Sequence, residues 1–315
     1  MQTYLITGGA GFIGSNLTAK LIITTKIICI DNFDPFYAKG LKEKNLAQFI
    51  KHKNFSFIEG DILDRNAIEN IFTANKIDAV IHLAAKAGVR PSIADPIGYF
   101  NVNVQGTINL LEEMKKRSVS KMLFASSSSV YGDNRKTPFS ETDNVDNPIS
   151  PYAASKKAGE LICSTYNKLY GIDIFALRFF TVYGPSQRPE MAIANFANRI
   201  INNEPITLFD GSGTTSRDYT YIDDITEGIT NCLGKINGFE IINLGESQVV
   251  KLIDLVRLLE KHLGKKADIV FGERQPGDVE ITFADISKAK EMIGYNPKTK
   301  IDEGINKYCQ WLNNK

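Results

Sequence analysis

Along the first 180 positions, short runs of β-branched and apolar residues recur, each followed by a stretch with helical spacing. Residues 4–7, 27–31, 55–59, 79–83, 121–125 and 172–178 read as strands. Most are continuously apolar rather than alternating, as expected of parallel strands covered on both faces. Residues 67–73 and 104–116 are two of the helical stretches between them. Repeated strand–helix units require right-handed crossovers and a doubly wound sheet. After about residue 180 the pattern loosens. Residues 182–190 are rich in glycine, proline and polar side chains, and residues 210–216 form a second loop with two glycines. Helices are predicted over 192–202 and 252–263, and a strand over 268–271 followed by a loop at 272–278. The predicted fold class is α/β, a doubly wound parallel sheet of Rossmann type with a smaller C-terminal α/β substrate lobe. The sheet domain is expected over 1–180 plus about 219–250, and the lobe over about 181–218 plus 251–315. A ligand would bind between them, at the carboxyl ends of the strands.

Composition narrows the function without choosing it. Of 315 residues, 43% are hydrophobic and 23% charged, enough for a substantial core. The 37 basic and 36 acidic residues leave a net charge of +1, so neither nucleic acid nor an anionic membrane is an expected partner. The longest apolar runs, at 21–23 and 27–30, are too short to span a bilayer. The first predicted strand starts at residue 4, which leaves no room for a secretory leader, so a cytoplasmic location is expected. Cys29, Cys163, Cys232 and Cys309 lie far apart and read as buried reduced thiols. His52, His82 and His262 are equally dispersed, so no metal is expected.

Gly8, Gly11 and Gly14 are spaced G-x-x-G-x-x-G directly after a predicted strand and at the start of a predicted helix. In that context glycine allows the turn, lets the backbone approach a pyrophosphate, and lets the helix pack close to the strand. The helix N-terminus then offers free N–H groups to the anion. Asp31 closes the second strand, about twenty residues farther on. A carboxylate there can accept from ribose hydroxyls and would repel a 2′-phosphate, which favours NAD over NADP; a plain turn Asp is the structural alternative. Asp61 and Ile62 follow the third strand, where an adenine edge would lie.

Ser150-Pro151-Tyr152-Ala153-Ala154-Ser155-Lys156 has the signature of a helix start: Ser150 as N-cap, Pro151 in the first position, and Gly171 as terminator. Tyr152 and Lys156 then share one helix face. Tyr152 is the only tyrosine with a lysine four residues on. A phenol beside an ammonium and a cationic nicotinamide should lose its proton more readily, and can act as a general base on a sugar hydroxyl. The preceding strand runs into Ser126-Ser127-Ser128-Ser129-Val130-Tyr131-Gly132, which places hydroxyls at the cofactor crevice.

With these segments and Ser216-Arg217-Asp218-Tyr219-Thr220-Tyr221-Ile222-Asp223-Asp224, the whole chain resembles the extended short-chain dehydrogenase/reductase family, specifically its nucleotide-sugar epimerases and dehydratases. The resemblance implies that Tyr152 is the base, that Lys156 orients the nicotinamide ribose and lowers the tyrosine's pKa, and that Ser127 shares the hydrogen bond to the reacting hydroxyl. The NAD site it implies comprises Gly8, Gly11, Phe12, Ile13, Gly14, Asp31, Asn32, Asp61, Ile62, Leu83, Ala84, Ala85, Asn103, Tyr152 and Lys156. Family dehydratases carry an Asp-Glu pair, and decarboxylating members a Glu, where this chain has Ser128 and Ser129. Serines cannot readily supply the acid and base that elimination needs, so the departure favours 4-epimerisation.

Ala87-Gly88-Val89-Arg90, the segment from Phe180 to Pro185, and Gln187-Arg188-Pro189-Glu190-Met191 are similar to UDP-glucuronate 4-epimerases in particular. The implied reaction is NAD-dependent interconversion of UDP-glucuronate and UDP-galacturonate through a transient 4-keto sugar. By resemblance Arg188 supplies charge to the substrate carboxylate, Ser128, Ser129 and Thr181 supply hydroxyls, Arg90 joins the substrate site, and Arg217 and Arg274 clamp the pyrophosphate. A 4-keto glucuronate is a β-keto acid, and a rigid hold on its carboxylate would disfavour loss of carbon dioxide. UDP-glucose or UDP-N-acetylglucosamine 4-epimerisation remains the alternative. A homodimer is expected by analogy with the family, through the helix that begins at Pro151.

Overall fold

The computed structural model describes residues 1–314. In chain order, the N-terminal part comprises β1 (Thr3–Thr7), α1 (Phe12–Leu21), β2 (Lys26–Asp31), α2 (Lys39–Ala47), β3 (Phe55–Glu59), α3 (Arg65–Ala74), β4 (Ala79–His82), α4 (Val89–Ala94), α5 (Pro96–Phe100), α6 (Gly106–Lys116), β5 (Lys121–Ser127), α7 (Pro151–Tyr170) and β6 (Asp173–Phe179). There follow β7 (Thr181–Tyr183), α8 (Ala192–Ile201), β8 (Ile206–Leu208), β9 (Ser216–Tyr221), α9 (Ile222–Leu233), β10 (Phe239–Leu244), β11 (Val249–Lys251), α10 (Leu252–Leu263), β12 (Ile269–Phe271), α11 (Ser287–Ile293) and α12 (Ile301–Asn313).

Seven strands form one sheet in the order β10-β6-β5-β4-β1-β2-β3, and every pairing in it is parallel. Alternate residues of a strand enter different cores. Ile6, Cys29 and Leu123 join the core on one face, and Leu5, Ile28 and Phe124 that on the other. This explains why the strands read as unbroken apolar runs. The strand order reverses between β1 and β4, so the crevice beyond their carboxyl ends is the topological switch point. The glycine turn after β1 and residues 83–85 after β4 flank it.

The C-terminal part adds two small sheets, β11-β9-β7 and β12-β8. The expected domain boundary at 218/219 falls inside β9. Asp218 and Asp224, from the motif that opens at Ser216, hold this region together. Asp218 accepts the N–H groups of Glu246, Ser247 and Ala284, and Asp224 accepts those of Lys298 and Thr299. All four cysteines are free and buried, and among the described residues no group of side chains could hold a metal. No described helix is long and apolar enough to cross a membrane.

Candidate active site

The turn between β1 and α1 depends on its glycines. Gly8 has φ +71°, and a Cβ there would meet the Ala84 backbone nitrogen at 2.7 Å. A Cβ at Gly14 would lie 2.6 Å from both the Gly8 carbonyl oxygen and the Gly9 Cα. At Gly11 it would crowd only the Gly8 oxygen, at 3.2 Å. Gly11 is the N-cap of α1 and brings no side chain to its first N–H groups. The result is a cradle open to an anion at a helix N-terminus, which fits a dinucleotide's pyrophosphate. Phe12 and Ile13 supply the first two helical positions.

Asp31 is buried, and its carboxylate braces the cradle: Oδ2 accepts from Ala10 N at 3.1 Å and Oδ1 from Phe33 N at 2.9 Å. Burial raises its pKa, opposed by the Phe33 N–H, the Lys42 charge and the Ala10 N–H. Lone pairs remain for ribose hydroxyls. Asn32 donates to Asp61 Oδ2 at 2.8 Å, which joins the ends of β2 and β3 at the edge of the crevice. Ile62 has its side chain in the core against Gly106 and its carbonyl held by Asn109, so a ligand would meet its backbone. Leu83, Ala84 and Ala85 are half-buried on the opposite wall.

Asn103, another residue of the expected cofactor site, has internal partners. It is buried, accepts from Lys86 N at 2.8 Å, and donates to Lys86 O and Ser155 Oγ, both at 2.9 Å. Its amide is thus committed to bracing the β4 loop against α7. It lies in a π-helical turn at residues 101–105, which overlaps only the first two positions of the helix expected over 104–116.

Helix α7 runs from Pro151 to Tyr170 between the predicted caps: Ser150 Oγ accepts from Ala153 N, and Gly171 is left-handed at φ +68°. Tyr152 lies edge-on to Tyr99 at 6.1 Å. Burial raises its pKa, opposed by hydrogen bonding to Ser127 and by the positive charge of Arg188. In the chain alone Lys156 has other partners. Its ammonium turns back under the helix, donates to Ala125 O at 2.8 Å and lies 5.4 Å from the Phe124 ring centre. Burial lowers its pKa to about 8. In the chain by itself, Lys156 holds β5 and Arg188 favours the phenolate.

Ser127 accepts from Ser129 N and donates to Ser129 Oγ, both at 3.1 Å. Beyond it lies a cavity of about 140 Å³ whose walls include Ser128, Ser129, Thr181, Arg217, Val89 and Asp278. Arg217 donates to the carbonyls of Ser216, Val279 and Glu280, and Arg274 to that of Asp278, so both support the loop that closes this cavity. Arg90 is paired with Asp278 at 2.6 Å and stacked on Phe209. Arg188 is apart from that wall, with Nε 3.1 Å from Glu190 and its guanidinium 5.5 Å from the Phe36 ring centre. The site thus joins a phenol, a serine hydroxyl and a small hydroxyl-lined chamber beside an anion cradle.

The family model described as GDP-mannose 4,6 dehydratase matches residues 5–308. The chain belongs to this family. As a member of these extended short-chain dehydrogenases/reductases, it is 44% identical over 313 residues to a UDP-glucuronate 4-epimerase of Thermodesulfobacterium geofontis, covering 99% of this chain and 96% of the relative. A UDP-glucuronic acid 4-epimerase from Bacillus cereus, crystallised with UDP-glucuronic acid and NAD, superposes with a TM-score of 0.94 at 36% identity, covering 99% of each chain. A UDP-glucose 4-epimerase from Thermotoga maritima, solved with UDP-glucose, gives 0.92 at 33% identity, again over 99% of each chain.

The polar network behind the catalytic strand was not foreseen. Glu160 and Arg178 form a fully buried pair that also binds Ser126. Arg178 closed a predicted strand, and its charge directly after the apolar run 174–177 was the available signal.

Proposed function

We propose that this protein is an NAD-dependent 4-epimerase of UDP-sugars that interconverts UDP-glucuronate and UDP-galacturonate. One observation carries the reading: a chamber walled by Ser128, Ser129, Ser150 and Thr181, next in sequence to Ser127 and two residues before Tyr152, has serines rather than carboxylates at positions 128 and 129, where elimination would need them. The similar proteins named above act as its precedent. Bound NAD supplies a reversible hydride acceptor. The glycine cradle takes its pyrophosphate, Asp31 its adenosine ribose, and Lys156 the ribose on the nicotinamide side. Tyr152 Oη removes the proton of the sugar 4-hydroxyl and later returns it, while Ser127 orients that hydroxyl. Ser128, Ser129 and Thr181 hold the sugar's C6 carboxylate, Arg188 supplies its countercharge, and Arg217 and Arg274 face the diphosphate of UDP.

The test is incubation of the purified protein with UDP-glucuronate and no added NAD, with products separated by chromatography. UDP-galacturonate is the expected product. A UDP-pentose would make the protein a decarboxylase instead. The placement of Arg188 outside the chamber wall favours a second reading, epimerisation of UDP-glucose, which would show as faster turnover of that sugar.

The proposal extends to assembly and location. Leu161 and Leu169 on α7 are 57% and 65% exposed, and Ile97 on neighbouring α5 is 74% exposed. An apolar face of this kind suits a homodimer. Four buried free thiols suit a reducing cytoplasm.

A further inference from the structure

We propose that Glu160 is the positioning residue of the catalytic centre, a buried carboxylate that fixes the separate elements carrying Tyr152, Ser127 and the chamber serines in one arrangement. The inference rests on the epimerase reading. Glu160 lies on α7, one turn beyond Lys156 and two beyond Tyr152. Its Oε1 accepts from Ser126 Oγ at 2.6 Å and from Arg178 Nε at 2.8 Å, and its Oε2 accepts from Arg178 Nη2 at 2.9 Å. Ser126 immediately precedes Ser127 on β5, and Arg178 is its partner across the β5–β6 ladder. The Arg178 guanidinium lies 4.8 Å from the Tyr131 ring centre, and Tyr131 ends the short turn that holds Ser128 and Ser129. The Tyr131 hydroxyl donates to Asn243 on β10, whose amide reaches the carbonyls of Phe139 and Asp285. The carboxylate therefore ties α7 to β5 and β6 directly, and reaches the serine turn and β10 through Arg178 and Tyr131.

Stability alone is a poor reason for such a pair. Desolvation offsets most of the attraction between buried charges, and apolar side chains would fill the space as well. What the pair adds is direction. A guanidinium fork admits few orientations of a carboxylate, and the second lone pair on Oε1 then fixes Ser126. Ser127 next in line is the hydroxyl that eases ionisation of Tyr152. The charged and titratable groups around that phenol are Arg188, Tyr99 from α5, and Lys156 one turn on.

Two variants test the inference. Ser126→Ala removes the link to the strand and leaves the ion pair. Glu160→Gln with Arg178→Met replaces the fully buried pair, leaving only the partly exposed Lys157 ammonium, 3.8 Å from Glu160, to turn toward water. Circular dichroism and thermal melts establish that each is folded. Labelling with 3-fluorotyrosine gives a fluorine resonance for Tyr152, identified by its absence in Tyr152→Phe. In both variants its titration midpoint should move up by about half a unit or more as the Ser127 bond loosens. kcat should fall roughly 10-fold or more while KM for the UDP-sugar stays within about twofold, since misplacement penalises the reacting geometry rather than binding. Folded variants with an unchanged Tyr152 midpoint would overturn the inference. The resonance reports without turnover, so a wild-type protein inert on every UDP-sugar would remove the epimerase reading while the midpoint still decides the role of Glu160.

Discussion

At the scale of single residues, the folded chain makes Tyr152 a weaker acid than a free phenol, because burial outweighs Ser127 and Arg188. A positive nicotinamide beside it would supply the missing stabilisation of the phenolate. Proton removal should therefore require a loaded cofactor site. Tyr152→Phe is expected to lower kcat by about 10²–10⁴-fold while NAD stays bound, as measured by progress curves and by cofactor released on denaturation. Lys156 gives a pH prediction. Its pKa falls from 10.5 to about 8, so it loses its charge as pH rises through 8, and turnover should decline there. Stability should move the other way. Between about pH 8 and 10.5 the unfolded chain binds more protons than the folded one, so stability rises with pH across that window. Thermal melts and rates over the same buffers check both. Arg188→Ala should raise KM for UDP-glucuronate by roughly 10- to 100-fold, the worth of a charge-assisted hydrogen bond, and leave KM for UDP-glucose nearly unchanged, while kcat falls on both sugars because Tyr152 loses the charge that favours its phenolate. Equal kinetics on both sugars would remove its assigned role.

At the scale of elements, legibility follows from what forces each segment. The parallel strands were readable because burial on two faces leaves only apolar runs, and β3 was found over its full length at residues 55–59. Helix α7 was readable to its ends because Ser150, Pro151 and Gly171 each answer a local backbone need. The small sheet was not readable. Its strands β7 and β11 have three residues each, too few for periodicity, and β9 is half polar. The internal partners of polar residues were not readable for the same reason. Asn103, Asp218 and Glu160 make their bonds to residues far along the chain, which no local pattern records. The Lys156 side chain was expected to face the tyrosine, but helical spacing fixes a shared face and leaves the direction of a long side chain open. An element-level prediction follows from the turn. Gly14→Ala forces a Cβ to within 2.6 Å of the Gly9 backbone, so it should destabilise the fold and abolish NAD retention, seen in a lower melting temperature and a cofactor-free preparation.

At the scale of the molecule, the chain is two functions on one sheet. In the proposed reading the β1–β3 side and its cradle serve the cofactor, and the small sheets and the loop ending at Asp278 cover the sugar. Arg90 and Asp278 tie the two across the mouth. If the exposed α5 and α7 face mediates pairing, Leu161→Glu with Leu169→Glu should convert a dimer to a monomer in light scattering, with little loss of the monomer's secondary structure.

The hydroxyl lining of the chamber has one more consequence. Ser128, Ser129 and Thr181 can each swivel an O–H to donate or accept, so they can greet either face of a turned sugar with similar bonds. A wall of that kind prefers neither epimer. If the sugar turns against that wall, the two epimers are bound about equally, so neither traps the enzyme; the ratio free in water is set, as for any catalyst, by the sugars' own free energies, and net conversion must come from whichever downstream step draws one of them away.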